Sequence, residues 1–169
     1  MDEIVNKVAQ SGLINLDMKD FRPKGERIVF DMKEVLWQGM ALREKDFRAF
    51  VKEHDWLQYE EKFVAIDCSV DAIIPNWAYM LMAVSLEGIA KHVSVGPEEK
   101  LEEEIFQIEI EQFDAKQYQD ERIILKGCSD HFVPRSAYFQ LAEKLKPVVK
   151  SLMFGEPCST VPVYKKPRK

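Results

Sequence analysis

The sequence is poor in cysteine, with three among 169 residues. Small secreted domains that depend on disulfides carry more cysteines, usually in even number, so we exclude a disulfide scaffold. The N-terminus also lacks the basic start and apolar core of a signal peptide. Both observations favour a cytoplasmic protein.

Long apolar runs and an excess of positive charge are also lacking. The most apolar stretch, residues 72–86, is interrupted by Pro75 and Asn76 and is shorter than the roughly 20 residues that cross a bilayer. The formal net charge is -5, so the chain has no general attraction to phosphate backbones or anionic lipids. We therefore expect neither a nucleic acid nor a membrane as partner, and the oligomeric state stays open.

Several common catalytic motifs are missing from the sequence. It contains no glycine loop that cradles phosphate, no serine nucleophile elbow and no helix with paired zinc-binding histidines. The usual signatures of nucleotide-binding proteins and serine hydrolases are therefore absent.

The feature that is present is a repeat. The segment from Cys68 to Tyr79 matches the segment from Cys128 to Tyr138 when one residue is gapped. Each copy follows a β-rich run and precedes an apolar stretch opened by proline. The pattern predicts a strand, a cysteine loop and a helix, built twice.

The order of predicted elements favours an α/β protein, a single layered domain over residues 1–164 with a mixed sheet. Residues 165–169 form a basic tail that we expect to be disordered. A turn and an acidic, solvated face are expected over residues 96–104. The predicted helices are residues 4–8, 43–54, 75–90 (largely buried) and 134–154 (kinked at Pro147), and the predicted strands are residues 28–37 (one bent strand or two), 62–67, 105–111, 122–127 and 161–164.

This architecture would bring the two cysteine loops together. If the strands before Cys68 and Cys128 run parallel in one sheet, both loops emerge at its carboxyl edge, where such folds place ligands. Cys158 follows the second repeat's helix and is expected at the opposite end of that helix, unless Pro147 bends the chain back.

A metal site is the first interpretation of these residues. Cys128 and His131 supply a thiolate and an imidazole three positions apart, and Cys68 and Cys158 complete a Cys3His set. That set suits tetrahedral zinc or a sulfur-ligated iron. An aspartate of the loops could replace the histidine.

Two other interpretations stay open. In the first, Cys128 is a nucleophile or sulfur carrier, with His131 as a candidate base. In the second, the three cysteines are small buried hydrophobic residues, and the protein is a metal-free interaction module.

Three stretches resemble an uncharacterised bacterial family, domain of unknown function 2480. They are Ile73-Ile-Pro-Asn-Trp-Ala-Tyr79, Lys126-Gly-Cys-Ser129 and Ser151-Leu-Met-Phe-Gly-Glu-Pro-Cys-Ser-Thr-Val-Pro162. The resemblance covers most of the chain but implies no established activity or ligand residues. Members of such a family are often encoded near iron–sulfur cluster assembly genes, so the resemblance implies iron–sulfur assembly proteins as candidate partners.

Overall fold

The computed structural model describes residues 12–127, 131–156 and 158–167. It is a mixed α/β structure, as predicted, with four helices and two sheets in this part of the chain. The helix expected over residues 4–8 lies outside the described residues. None of the described helices is both long enough and apolar enough to span a bilayer.

The chain divides into two compact units. The first unit consists of residues 1–23 and 105–169, and the second unit, residues 24–104, interrupts it in sequence. The single-domain boundary at residue 164 stays a prediction.

The second unit contains a three-stranded parallel sheet. Its strand order is β2-β3-β4, with β2 at Arg27–Asp31, β3 at Phe63–Asp67 and β4 at His92–Val95. Helices α1 (Glu44–Glu53) and α2 (Asn76–Leu86) supply its core. Phe47, Val64 and Met82 are fully buried there, from α1, β3 and α2 respectively.

The first unit contains a four-stranded sheet in the order β1-β5-β6-β7. Strands β1 (Leu13–Asp17), β5 (Arg122–Lys126) and β6 (Ser151–Glu156) are parallel, and β7 (Ser159–Lys165) returns antiparallel to β6. This edge strand makes the sheet mixed, as predicted. The core includes side chains from α3 (Glu98–Gln112) and α4 (Arg135–Leu145).

The elements of the two units repeat at a constant offset in residue number over much of their length. From Asp55 to Leu86 the second unit matches the first without a gap when 59 is added to each residue number, so Pro75 corresponds to Pro134. The match includes the left-handed residues Glu61 (φ 58°) and Asp120 (φ 59°), whose amides donate to the carbonyls of Ile89 and Val148, also 59 positions apart. The buried Phe47, Val64 and Met82 correspond to Phe106, Ile123 and Leu141, all fully buried.

The opening strands repeat as well, with an offset of 14 residues. Ile14 to Lys19 corresponds to Ile28 to Lys33, and each strand ends in an aspartate. Asp17 and Asp31 accept hydrogen bonds from the amides of Lys19 and Lys33 and so begin short 3-10 helices. Residues 28–37 contain one strand that ends at Asp31 and a 3-10 helix over Met32–Val35, so both alternatives left open by the sequence, one bent strand or two, are wrong.

Two predicted elements are wrong. Residues 105–111 belong to α3, because Leu101, Ile105, Phe106 and Ile110 form a buried helical stripe. The acidic run before them is the start of that helix; its Glu98, Glu99 and Glu103 are exposed, as expected of a solvated face, whereas Glu102 is buried. The helix expected to reach Phe154 ends at Leu145, two residues before Pro147, and the chain then forms β6.

Two further expectations need smaller corrections. Helix α2 is not largely buried, since Met80 and Val84 are exposed on one face. The ordered chain extends into the predicted basic tail, because Lys165 ends β7 and the Nζ of Lys166 lies 2.6 Å from the Oδ1 of Asp120.

A buried ion pair stabilises the second unit. The Nε of Arg27 lies 2.9 Å from the Oε1 of Glu102, and the two side chains are 6% and 3% exposed. The guanidinium also lies over the Phe63 ring and donates to the carbonyl of Gly25. Removing one charge of such a pair leaves the other buried without compensation.

We predict that Glu102→Gln lowers the free energy of unfolding by about 3 kcal/mol, since the Arg27 charge would stay buried. Urea denaturation followed by circular dichroism measures this. The control is Glu103→Gln, an exposed position on the same helix, where a change within about 0.5 kcal/mol is expected. Equal stability of the two variants would contradict a structural role for the pair.

Candidate functional site

Cys68 and the loop of Cys128 do not share a sheet. Cys68 follows β3 in the second unit, whereas Cys128 comes shortly after β5 in the first. The expectation that one sheet edge brings both loops together is therefore wrong. Cys128 itself lies outside the described residues, so the equivalence of the two cysteine loops stays a prediction.

The pairing of residues between strands matches the two cysteine loops differently from the gapped repeat in the sequence. Asp67 is the partner of Asp31 at the end of β2, and Lys126 is the partner of Asp17 at the end of β1. Counted from these ends, Cys68 corresponds to Gly127, and Cys128 is one residue further along the chain.

Cys158 lies at the edge where β5 ends, because the chain turns back around Pro147, the exception that the sequence left open. Because the chain returns from α4 as β6, parallel to β5, the carboxyl ends of the two strands meet at one edge of the sheet. Cys158 is exposed in the turn that joins β6 to β7 at this edge. Gly127, which directly precedes Cys128 in the chain, follows β5 at the same edge.

His131 is the fourth predicted site residue. It is exposed and precedes α4, whose first residue is Arg135. Since α4 follows the loop after β5, His131 belongs to the connection that leaves the carboxyl edge of the first unit's sheet.

Lys126 adds a positive charge to this edge. Its Nζ lies 2.9 Å from the Oε2 of Glu156, and this hydrogen bond is the main cause that raises the pKa of the lysine. The negative charges of Asp17 and of the Cys158 thiolate raise that pKa further, although partial burial opposes the shift.

Gly127 allows a tyrosine to approach the same edge. A Cβ atom at this glycine would lie 3.2 Å from the hydroxyl oxygen of Tyr138, a closer contact than side chains normally make. The Tyr138 ring packs edge-on against Phe154, with 5.7 Å between the ring centroids. The edge therefore combines a thiol, an ion pair and a phenol.

The corresponding edge of the second unit carries a different arrangement. Asp31 accepts hydrogen bonds from both the amide (3.0 Å) and the hydroxyl (2.5 Å) of Ser69, and these bonds lower the pKa of its carboxyl group. Cys68 is partly buried, and its Sγ donates to the carbonyl of Val70 at 3.2 Å. Burial chiefly raises the pKa of Tyr79, and negative charge on Cys68 and Asp67 raises it further.

Metal ligation is not visible among the residues that can be described. Within residues 12–127, 131–156 and 158–167, no three His, Cys, Asp or Glu side chains form a group that could hold a metal ion. A Cys3His set would need Cys128, which is outside these ranges.

Sequence reasoning missed Lys126 and Glu156 as neighbours of Cys158. The signal was the ungapped offset of 59 residues, visible in the pairs Asp55 and Asp114, and Tyr59 and Tyr118. Following that offset along the chain aligns β4 with β6 and so predicts that the chain returns as a strand before Cys158.

The fold and this edge define an α/β protein built from two similar units, one with a three-stranded parallel sheet and one with a four-stranded mixed sheet that carries an exposed cysteine at its edge. The chain belongs to a family described as protein of unknown function, DUF2480, whose model matches residues 2–166. The resemblance found in the sequence is thereby confirmed. Comparisons with curated proteins and with solved structures gave no significant match.

We predict that stability falls with acid partly through Asp31. Its carboxyl pKa is lowered in the folded state, so its contribution is present above the unfolded pKa near 3.9 and is lost as pH falls through the folded pKa. Asp31→Asn should therefore cost about 1 kcal/mol at pH 7 and less at pH 3. Urea titrations at both pH values measure this.

The matched control for that prediction is Asp71→Asn, an exposed residue of the loop that follows Ser69. Asp71→Asn should leave the difference in the free energy of unfolding between pH 7 and pH 3 close to that of the wild type. If Asp31→Asn also leaves that difference unchanged, the Ser69 hydrogen bonds contribute no pH-dependent stability.

Proposed function

We propose that this chain is a transition-metal-binding protein that uses the carboxyl edge of the first unit's sheet. Cys128 and Cys158 would supply the thiolates and His131 the imidazole, and zinc or iron would be the metal. A role as an accessory factor in iron–sulfur or sulfur metabolism is part of this proposal, as are iron–sulfur assembly proteins as partners. Cytoplasmic location also stays a prediction.

The observation that supports the proposal is the parallel pairing of β5 with β6. Neighbouring strands lie about 4.8 Å apart, so residues just past their carboxyl ends start from neighbouring positions. Gly127 and the Cys158 turn occupy those positions, and Cys128 is joined covalently to Gly127.

The chemistry of the donor set suits a metal that is exchanged. Two thiolates and one imidazole match the preferences of zinc and of iron. Three protein ligands leave a fourth position open, as in sites that bind an exogenous ligand rather than in closed structural sites. Exposure of Cys158 and His131 agrees with such access. Cys68 is a candidate fourth ligand, although its sulfur is hydrogen-bonded within the second unit.

We predict that anaerobically purified protein contains close to one zinc or iron per chain. Cys158→Ser and Cys128→Ser should each reduce metal content at least tenfold, because each removes a thiolate ligand. Elemental analysis and a labile-sulfide assay measure this. Cys68→Ser is the matched variant and should retain the metal if three ligands suffice.

Three outcomes separate the alternatives. Metal loss in all three variants would assign Cys68 as the fourth ligand. Wild-type protein without metal, with thiols that react freely when folded, would contradict the metal proposal and favour a catalytic or sulfur-carrying thiol. Thiols that react only after unfolding would identify structural cysteines.

The second candidate function is a thiol enzyme or sulfur carrier, and the exposure of Cys158 is the observation that favours it. In the interpretation made from the sequence, Cys128 is the nucleophile and His131 its base. An exposed thiol such as that of Cys158 would be accessible to a substrate or to a sulfur donor.

We predict that iodoacetamide alkylates Cys158 of the folded, metal-free protein roughly tenfold faster than Cys68, because Cys158 is exposed whereas the Sγ of the partly buried Cys68 donates to the carbonyl of Val70. Mass spectrometry of the peptides that contain each cysteine measures the two rates. The unfolded protein is the control, and the two rates should be similar there. Equal rates in the folded protein would show that Cys158 is no more accessible than Cys68.

A further inference from the structure

The amino edge of the first unit's sheet, opposite the thiol edge, carries a row of residues set by strand register. Leu13 of β1 is paired with Arg122 of β5, Arg122 with Ser151 of β6, and Ser151 with Lys165 of β7. Lys150 and Lys166 directly flank this row in the sequence. Arg122 and Lys165, together with the flanking Lys150 and Lys166, therefore place four basic residues along one edge.

These residues line a cavity of about 650 Å³. Arg122, Lys150, Lys165 and Lys166 contribute to its wall, together with the less polar Met153 and Tyr164. A volume of this size is within the range of small-molecule sites. We call it the basic groove.

The backbone holds the lysines of the basic groove in place. The amide of Lys150 donates to the carbonyl of Glu121 at 2.7 Å, and the amide of Lys166 donates to the carbonyl of Lys150 at 2.9 Å. The positive charges therefore start from ordered backbone rather than from a free tail.

Three of these four cations have no ion-pair partner in the part of the chain that the structure describes. Lys166 pairs with Asp120, with 2.6 Å between Nζ and Oδ1. Among the described residues, no acidic side chain forms an ion pair with Arg122, Lys150 or Lys165. Lys150 contributes only a weaker, longer-range attraction to Asp120.

The second unit provides an internal comparison. With the offset of 59, Lys91 corresponds to Lys150 and Glu61 to Asp120. In the second unit the Nζ of Lys91 lies 3.4 Å from the Oε2 of Glu61, so that lysine has an ion-pair partner. In the described part of the first unit, Lys166, which follows β7, forms the ion pair with Asp120, and Lys150 has no ion-pair partner.

A second difference between the two units adds positive charge at the amino edge of the first unit's sheet. Arg122 of the first unit corresponds to Phe63 of the second, where the ring is buried. Strand β7, which supplies Lys165, follows β6, whereas the described chain of the second unit continues from β4 into α3. The basic groove therefore belongs to the first unit. Arg122, Lys150 and Lys165, which have no ion-pair partner among the described residues, have no equivalent in the second unit with the same charge and environment.

We propose that the basic groove binds a small ligand that carries two or more phosphate groups. Three unpaired cations, arginine among them, suit several phosphate oxygens at once, and the like charges repel one another until an anion is bound. Met153 and Tyr164 offer contact to an organic part of the ligand. The net charge of -5 conceals this local excess of positive charge.

Isothermal titration of the full chain with inorganic tripolyphosphate at low salt tests the proposal. We expect saturable binding with a stoichiometry of one, at least tenfold tighter than binding of inorganic phosphate. The double variant Arg122→Gln and Lys150→Gln should weaken binding at least tenfold. The control double variant Lys116→Gln and Lys146→Gln has the same net charge, and both of its positions are exposed.

Two further measurements test whether each variant is folded and which class of ligand binds. Thermal unfolding of each variant confirms that it is folded, as expected for exposed positions. Tighter binding of ATP than of tripolyphosphate would support the proposal and assign an organic phosphate as the ligand. Equal affinity for ATP and tripolyphosphate would also support the proposal and would assign a free oligophosphate as the ligand. Equal weakening by the two double variants, no saturable binding, or tighter binding of a single-stranded oligonucleotide than of tripolyphosphate would overturn the proposal.

Discussion

The parallel pairing of β1 with β5 is the constraint on which the first unit depends. All of the second unit lies between these strands in sequence, so the pairing must form between residues more than 100 positions apart. Closing so long a loop costs chain entropy, which the buried core of Ile123, Leu125 and the helices must offset. The same register places Asp17 beside Lys126 at one edge and Leu13 beside Arg122 at the other.

The two edges of this sheet carry different chemistry. The carboxyl edge combines the exposed Cys158 with the ion pair of Lys126 and Glu156, and the amino edge holds the basic groove. The second unit shares the backbone plan but has the hydrogen bonds of Asp31 and the paired Lys91 at the corresponding edges. The two units therefore have similar cores and different side chains at the edges of their sheets.

Sequence patterns succeeded where local signals and tertiary burial agreed. The strands β3 and β5 are short apolar runs bounded by polar residues, α1 has Phe47, Phe50 and Val51 at helical spacing, and α2 follows Pro75, so all four were predicted. Helix α3 was missed because Phe106, Ile108 and Ile110 also fit a strand period, although Ile108 is 36% exposed and does not belong to the buried stripe. Strand β6 was missed because its apolar residues continue the helical stripe of α4 past Pro147.

The sequence by itself determined the fold class, the repeated strand and helix around each loop, and the three thiols as the candidate chemistry, because these depend on local periodicity and residue type. The family followed from motifs in the same sequence. Tertiary structure decided that β3 and β5 belong to separate sheets, and that Cys158 returns to the edge where β5 ends. Strand partners and register depend on contacts between distant residues, and these are set by which pairings bury the most apolar surface rather than by any local pattern.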